Sequence, residues 1–117
     1  MEIKRDKEVE AVGYAKCHDG EGTLFCKSIL EGFGGRDLRF MHSDFMAAGV
    51  SIGYHFHDVT EEIYYLQSGK GILSFDGKEF EMYPGDVSLC TRGHSHGFKA
   101  VEDCVLLVVG GRVCEEW

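Results

Sequence analysis

The chain has 117 residues, which is the size of one domain with a useful hydrophobic core. Its formal net charge of −8 argues against a nucleic acid or an anionic membrane as a partner. No apolar run is long enough to span a bilayer, and the charged N-terminus lacks the apolar region of a signal peptide. The five cysteines are an odd number without a C-x-x-C pair, so we interpret them as reduced thiols in a cytoplasmic protein.

The predicted elements are short strands divided by turns. Residues 1–20 are polar, and we expect them to form an edge strand or to cover a partner subunit. Turn residues recur about every eight to twelve positions and no window has a sustained helical period, which predicts an all-β sandwich or barrel of one domain, 1–117. An Asp-Gly pair at 76–77 predicts a hairpin. Residues 112–117 are expected to form a short tail. The predicted strands are 23–30, 38–46, one containing His55 and His57, 61–67, 72–75, 78–83, 86–91, 96–101 and 104–109, the last buried on both faces.

His55 and His57 are the most informative pair in the sequence. They lie two positions apart in a run of β-branched and aromatic residues, so on a strand both imidazoles point to the same face. Glu62 follows a short polar turn and can return to the same point from the next strand. Two nitrogens and one carboxylate oxygen suit a first-row divalent metal, and His96 is the best candidate for a fourth ligand.

This stretch resembles the first motif of the cupin superfamily. That motif reads Gly, five residues, His-x-His, three or four residues, Glu, six residues, Gly. Here it is met over 49–69 by Gly49, His55, His57, Glu62 and Gly69.

The second cupin motif is matched in part over 85–100. Gly85, Gly93 and His96 stand at the motif's spacings, whereas Thr91 replaces its Pro and Ala100 its Asn. Neither replacement removes a ligand. The short spacing between the motifs is similar to that of compact single-domain bacterial cupins.

The resemblance implies a cupin-type β-barrel, a jelly roll (double-stranded β-helix) of two antiparallel sheets. It implies one divalent metal, Fe, Mn, Ni, Co or Zn, held inside by His55, His57, Glu62 and His96. Such a ligand set leaves one or two positions for water or substrate, as in catalytic sites. It also suggests a homodimer, with exchange of the N-terminal segments as one form.

Four further residues are weighed as parts of the site. Tyr64 shares the face of Glu62 and is a candidate catalytic proton donor or substrate contact, although a core tyrosine with a satisfied hydroxyl is the commoner case. His42 could reach the cavity and bind substrate, or it could be a surface histidine. Arg92 could bind an anionic substrate through its guanidinium fork, or could simply be exposed. His94 is placed near the mouth, where it could bind substrate, and is not expected to be a metal ligand. The Cys17-His18 pair is given no role.

Three functions remain open from the sequence. The first is a metalloenzyme acting on a small polar metabolite, such as a sugar, a sugar acid or an oxo-acid, by isomerase, epimerase or lyase chemistry, or as a dioxygenase if the metal is iron. The second is a small-molecule-binding module without turnover. The third is a barrel that the metal only stabilises. Fold alone does not choose among them.

Overall fold

The structure is a computed structural model that describes residues 1–112. These residues form ten strands and two short 3-10 turns, Asp6–Glu8 and Cys17–Asp19. The strands are β1 (Val12–Ala15), β2 (Thr23–Ser28), β3 (Leu38–Met46), β4 (Ser51–Phe56), β5 (Thr60–Ser68), β6 (Gly71–Phe75), β7 (Lys78–Met82), β8 (Val87–Cys90), β9 (Ser95–Ala100) and β10 (Cys104–Arg112).

The strands form two antiparallel sheets that enclose one core. The large sheet has the order β1-β2-β3-β10-β5-β8, and the small sheet has the order β4-β9-β6-β7. The core between them is built from inward-facing side chains of both sheets, including Met46, Leu66, Leu106 and Phe98. The predicted all-β barrel of two antiparallel sheets is therefore confirmed.

The structure bears out one of the two expectations for residues 1–20. β1 pairs with β2 at the edge of the large sheet, so part of 1–20 forms the edge strand that was one of the two expectations. All four β1 residues are exposed. This pairing covers the edge of β2 over residues 23–26.

The hairpin between β6 and β7 turns where the sequence predicts. Asp76 has φ 47° and Gly77 has φ 80°, both in the left-handed region. Two consecutive positive φ angles are the signature of the tight hairpin turn that an Asp-Gly pair favours.

Two details of β10 differ from the prediction. The strand continues to Arg112, where the prediction starts a tail, and the remaining predicted tail lies outside the described residues. The prediction of burial on both faces is also wrong. Leu106 and Val108 are buried, whereas Val105, Leu107 and Val109 on the outer face are only half-buried, because no layer covers that face within residues 1–112. No helix in the described part of the chain is long and apolar enough to cross a membrane.

Candidate metal centre

Four predicted ligand residues meet between the two sheets. β4 carries His55 and leads directly into His57, β9 carries His96 opposite His55 in the ladder, and β5 brings Glu62 from the facing sheet. One ligand atom from each of these residues lies within 4.8 Å of all the others. The sequence prediction that these side chains reach one point is borne out by this group, which is able to hold a metal ion.

A β-bulge in β4 turns His55 inward. Ile52 and His55 are three positions apart and would face opposite sides of a regular strand. The β4–β9 register shifts between them, so both residues face the interior. Tyr54, between them, is 53% exposed. Gly53 lies in this bulge, and a Cβ there would stand 1.8 Å from the carbonyl oxygen of His18. The close approach of the 3-10 turn at Cys17–Asp19 therefore requires glycine.

The donor atoms have the separations expected of neighbouring metal ligands. His57 Nε2 lies 2.9 Å from His96 Nε2, and His96 Nε2 lies 2.8 Å from Glu62 Oε1. The Nε2 atoms of His57 and His55 lie 3.5 Å and 3.7 Å from the same carboxylate oxygen. With metal–ligand bonds of about 2.1 Å, adjacent octahedral ligands are about 3.0 Å apart and opposite ligands about 4.2 Å.

Hydrogen bonds fix how the two histidines of the first motif present their nitrogens. His55 Nδ1 donates to the carbonyl oxygen of Gly53 at 2.7 Å, and we assign His57 Nδ1 as the donor to the Thr60 hydroxyl, also at 2.7 Å. Each Nε2 atom then carries a lone pair that faces the centre of the cluster. Such outer partners orient metal-ligating histidines and set their tautomer.

Buried atoms without partners indicate what the cluster can accommodate. His55 Nε2 is buried and makes no hydrogen bond with any described residue. Lone pairs on His55 and His57 converge on a carboxylate oxygen, and the single proton on His96 Nε2 cannot serve all of these acceptors. When the His96 proton is on Nδ1, a divalent cation can accept a lone pair from all four atoms, so the donor set fits a metal.

Burial and neighbouring charges within the cluster shift the pKa values of Glu62, His55 and His57. Burial alone would raise the pKa of Glu62, but the close imidazoles of His55 and His96 hold it well below its ordinary value. Burial lowers the pKa of His55, yet the nearby Glu62 carboxylate and the hydrogen bond to the Gly53 carbonyl outweigh this and raise it. Burial and the neighbouring imidazoles lower the pKa of His57. The carboxylate is thus ionised and ready to bind a cation at neutral pH.

Tyr64 lies on the predicted face, beneath the cluster. Its ring stacks on His96 with centroids 4.1 Å apart and an interplanar angle of 10°, and the residue is 1% exposed. Its hydroxyl has no hydrogen-bond partner among residues 1–112. Burial and the charge of Glu62 raise the pKa of Tyr64 well above its usual value, so the phenol keeps its proton.

The three candidate substrate residues are dispersed. His42 faces the interior from β3, where its Nδ1 contacts Asp44 and its ring stacks on Phe40. His94 turns its Nδ1 towards Asp76 in the β6–β7 hairpin and is absent from the ligand group, as expected. Arg92 is exposed in the loop before β9. A role of these residues in binding substrate stays a prediction.

One residue beside the cluster was not predicted from the sequence. The ring of His18 stacks on His55, with centroids 3.8 Å apart and an interplanar angle of 13°. Lys16, His18 and Asp19 hold this turn with positive φ angles. The glycines around it indicate a turn, but no local pattern predicts where that turn docks, because the contact is made with β4 far along the chain.

Comparison with known proteins assigns the fold. One similar relative, the oxalate-binding protein of Thermotoga maritima, is 37% identical over 51 residues, an alignment that spans 44% of this chain and 42% of that protein. The crystal structure of a predicted oxalate decarboxylase from T. maritima superposes with a TM-score of 0.87 at 24% identity, over 95% of this chain and 99% of that one.

A third similar protein and a family match complete the comparison. A candidate sugar phosphate isomerase from Acidithiobacillus ferrooxidans has a TM-score of 0.70 at 28% identity, over 78% of this chain and 60% of that one. Residues 41–110, which include all four residues of the cluster, match the family described as "Cupin domain". This chain belongs to the cupin family.

Proposed function

We propose that this protein is a metal-dependent cupin that binds a small carboxylate or oxo-acid at an ion held by His55, His57, Glu62 and His96. The observation that supports this most directly is the convergence of three imidazole nitrogens and one carboxylate oxygen on a single point. Two of those imidazoles are oriented by hydrogen bonds from their other ring nitrogen. That arrangement is typical of metal-ligating histidines.

The chemistry at this centre follows from what surrounds it. A divalent ion supplies Lewis acidity, which polarises a carbonyl or carboxylate oxygen. Tyr64 is the candidate proton donor, since its hydroxyl is buried, has no partner among the described residues and keeps its proton. His18 and Tyr64 limit the space around the cluster with flat rings. A compact metabolite suits this site better than a polymer.

The substrate class is inferred from the comparisons. One relative is named as an oxalate-binding protein and one structural neighbour as a predicted oxalate decarboxylase. Oxalate is a dicarboxylate, and one oxygen from each of its two carboxylates can occupy two adjacent coordination positions. We therefore favour a lyase acting on a small dicarboxylate or oxo-acid. Sugar isomerisation is the other catalytic class, in line with the name of the A. ferrooxidans neighbour, and dioxygenase chemistry applies if the metal is iron.

A binding module without turnover is the second candidate. The name of the T. maritima relative describes binding rather than catalysis. The same metal and ligand would be held, and the two functions would differ only in whether product forms. We place either function in the cytoplasm, on the ground that Cys17, Cys26, Cys90 and Cys104 are free thiols.

We also propose that the protein is a homodimer that buries the outer face of the large sheet. Phe25 pairs with Phe45 and Tyr65 pairs with Val87 on that face, and these four side chains are 38% to 63% exposed. Leu89 continues the patch on β8 at 50% exposure. Contiguous apolar surface of this kind is typical of an interface. A monomer in size-exclusion chromatography with light scattering would contradict the proposal.

The first experiment measures metal by mass spectrometry in untagged protein beside His57→Ala and His94→Ala. We expect the wild type and His94→Ala to contain about one equivalent more metal than His57→Ala, which lacks one of the four ligands. His94 is a matched histidine whose side chain contacts Asp76 instead of the cluster. Equal metal in both variants would show that the ligand assignment is wrong.

The second experiment tests ligand and turnover together. Oxalate is titrated calorimetrically into metal-loaded and chelator-treated protein, and the loaded mixture is assayed for formate and carbon dioxide. Saturable binding only with metal supports the proposal, and product formation assigns the lyase rather than the binding module. Absence of oxalate binding to fully loaded protein would exclude this substrate class.

A further inference from the structure

A second group of ligand-type side chains lies on the inner face of the large sheet. Cys26 on β2 and Asp44 on β3 stand directly opposite each other in the antiparallel ladder. His42 precedes Asp44 by two positions and therefore shares its face. A sulfur, a nitrogen and an oxygen atom from these three residues lie within 4.8 Å of one another. We name these residues the thiol cluster.

Asp44 is the residue that calls for a partner. It is 2% exposed, and its Oδ1 atom makes no hydrogen bond with any residue from 1 to 112. A buried carboxylate oxygen that lacks a hydrogen bond carries a desolvation cost, unless a cation lies next to it. The environment of Asp44 thus points to a positively charged ligand.

The contact with His42 does not meet that need as a hydrogen bond. His42 Nδ1 lies 3.3 Å from one carboxylate oxygen and 3.4 Å from the other. Charge-assisted hydrogen bonds between such groups are shorter, about 2.7–2.9 Å. Two ligands of a tetrahedral ion with bonds of about 2.1 Å are about 3.4 Å apart, which agrees with the observed separation.

We propose that Cys26, His42 and Asp44 form a second metal site, which takes a thiolate-binding divalent cation of the zinc type. The thiolate and the carboxylate carry two negative charges that balance the ion, so that the buried complex is neutral. Sulfur as a ligand selects zinc-like ions over magnesium or calcium, which prefer oxygen. This site shares no residue with the four-ligand cluster, which is His55, His57, Glu62 and His96, and it does not depend on the function proposed above.

A cavity beside Cys26 gives an ion a route to the thiol, and the proton on that thiol must leave when the ion binds. A cavity of about 340 Å³ has Cys26 and Ser28 in its wall, together with Lys4 and Glu8 from the N-terminal segment. Burial and the charge of Asp44 raise the pKa of the Cys26 thiol to about 12. When the sulfur–metal bond forms, the sulfur–hydrogen bond breaks and one proton leaves to solvent.

Cobalt(II) is the probe that separates the two sites, because it replaces zinc and gives a near-ultraviolet charge-transfer band only when a thiolate is a ligand. The four-ligand cluster contains no sulfur. Metal-stripped full-length protein is titrated with cobalt(II), and bound cobalt is counted after dialysis. We expect two equivalents in the wild type, with the thiolate band present. His57→Ala should bind one equivalent and keep the band.

Matched cysteine variants assign the band to its thiol. Cys26→Ser should lose the band and one equivalent of cobalt, whereas Cys90→Ser should keep both, because Cys90 lies on β8 outside the thiol cluster. His42→Gln, at a half-buried position, should lower the cobalt affinity measured from the band at least tenfold. This variant also controls for misfolding of Cys26→Ser. No band in the wild type, or a band that persists in Cys26→Ser, would overturn the proposal.

Discussion

The two ligand clusters of this barrel differ in how their side chains are held. In the four-ligand cluster, outer hydrogen bonds fix His55 and His57, and the backbone of His57 is bonded to His94 and Gly93. In the thiol cluster, Asp44 has one oxygen without a hydrogen bond and His42 has only long contacts to it. Outer hydrogen bonds therefore preorganise the first site for its ion, whereas the second has an unsatisfied carboxylate oxygen that an ion would bind.

The contrast also determines what each cluster should do without metal. The four-ligand cluster retains short contacts between its members, with the Glu62 carboxylate ionised among imidazoles. The thiol cluster instead contains a buried carboxylate that costs stability. Metal removal should therefore leave the geometry of the four-ligand cluster largely intact, whereas the metal-free thiol cluster should lower the stability of the fold. The following predictions test that difference.

The largest expected effect comes from Glu62→Gln. The substitution keeps the size of the side chain and removes the charge on which His55, His57 and His96 converge. Metal affinity at the four-ligand cluster should fall by more than about 100-fold, beyond the loss typical of outer partners. Competition with a chelator measures it. The thiolate–cobalt band should be unchanged, and its loss would show that the clusters are not independent.

The next effect concerns the outer shell of the four-ligand cluster. Thr60→Val removes the hydroxyl that bonds His57 Nδ1 and should reduce metal affinity about 10–100-fold. Thr60→Ser restores the hydroxyl and should restore most of the affinity. Chelator competition on both variants makes the measurement. Equal affinity in Thr60→Val and wild type would mean that His57 is oriented by its backbone alone.

Protons should compete with metal at His55. Its raised pKa means that the folded, metal-free chain binds this proton more tightly than the unfolded chain does. That proton stabilises the metal-free fold below about pH 6.5, and its contribution is lost as pH rises through the raised pKa. A metal ligand must be neutral, so metal affinity should rise by up to about tenfold per pH unit and then level off. Titrations between pH 5.5 and 8 check this, and flat affinity over that range would contradict it.

The smallest expected effect is on the stability of Asp44→Asn relative to the wild type, and this difference should change sign when zinc is added. Asp44→Asn removes a buried charge, so the metal-free variant should be as stable as the wild type or up to about 1–2 kcal/mol more stable. With zinc the wild type should gain stability and the variant much less. Thermal unfolding with and without zinc measures both. A variant that is less stable in the absence of zinc would show that Asp44 is already satisfied in the metal-free chain.

The fold and the four-ligand cluster could be predicted because their signals are local. The spacing of His55 and His57 on one strand and the turn before Glu62 determine a common face, and the matched second motif adds His96. The Asp-Gly hairpin was equally readable. For His55, His57, Glu62 and the hairpin, a short stretch of chain contains both the residues and the geometry that joins them, whereas His96 was placed by its match to the second motif.

Other features depend on contacts that no short stretch contains. Cys26 meets Asp44 only through the register of β2 on β3, and His18 meets His55 only because its turn docks on Gly53. A register shift of one residue would point Cys26 to the other face. Likewise, the half-exposed outer face of β10 follows from the absence of a covering layer in the described chain, which its apolar sequence does not reveal.

The position of β10 has a consequence for how the protein folds. This strand lies in the middle of the large sheet, between β3 and β5, and pairs Cys104 with Met46 and Gly110 with Glu62. The sheet cannot close until residues 104–112 have been synthesised, so the barrel forms late and through contacts of long sequence separation. Such topologies fold slowly, on the order of milliseconds to seconds. Because Glu62 is held by β10, metal capture should be a late step that reports on completed folding.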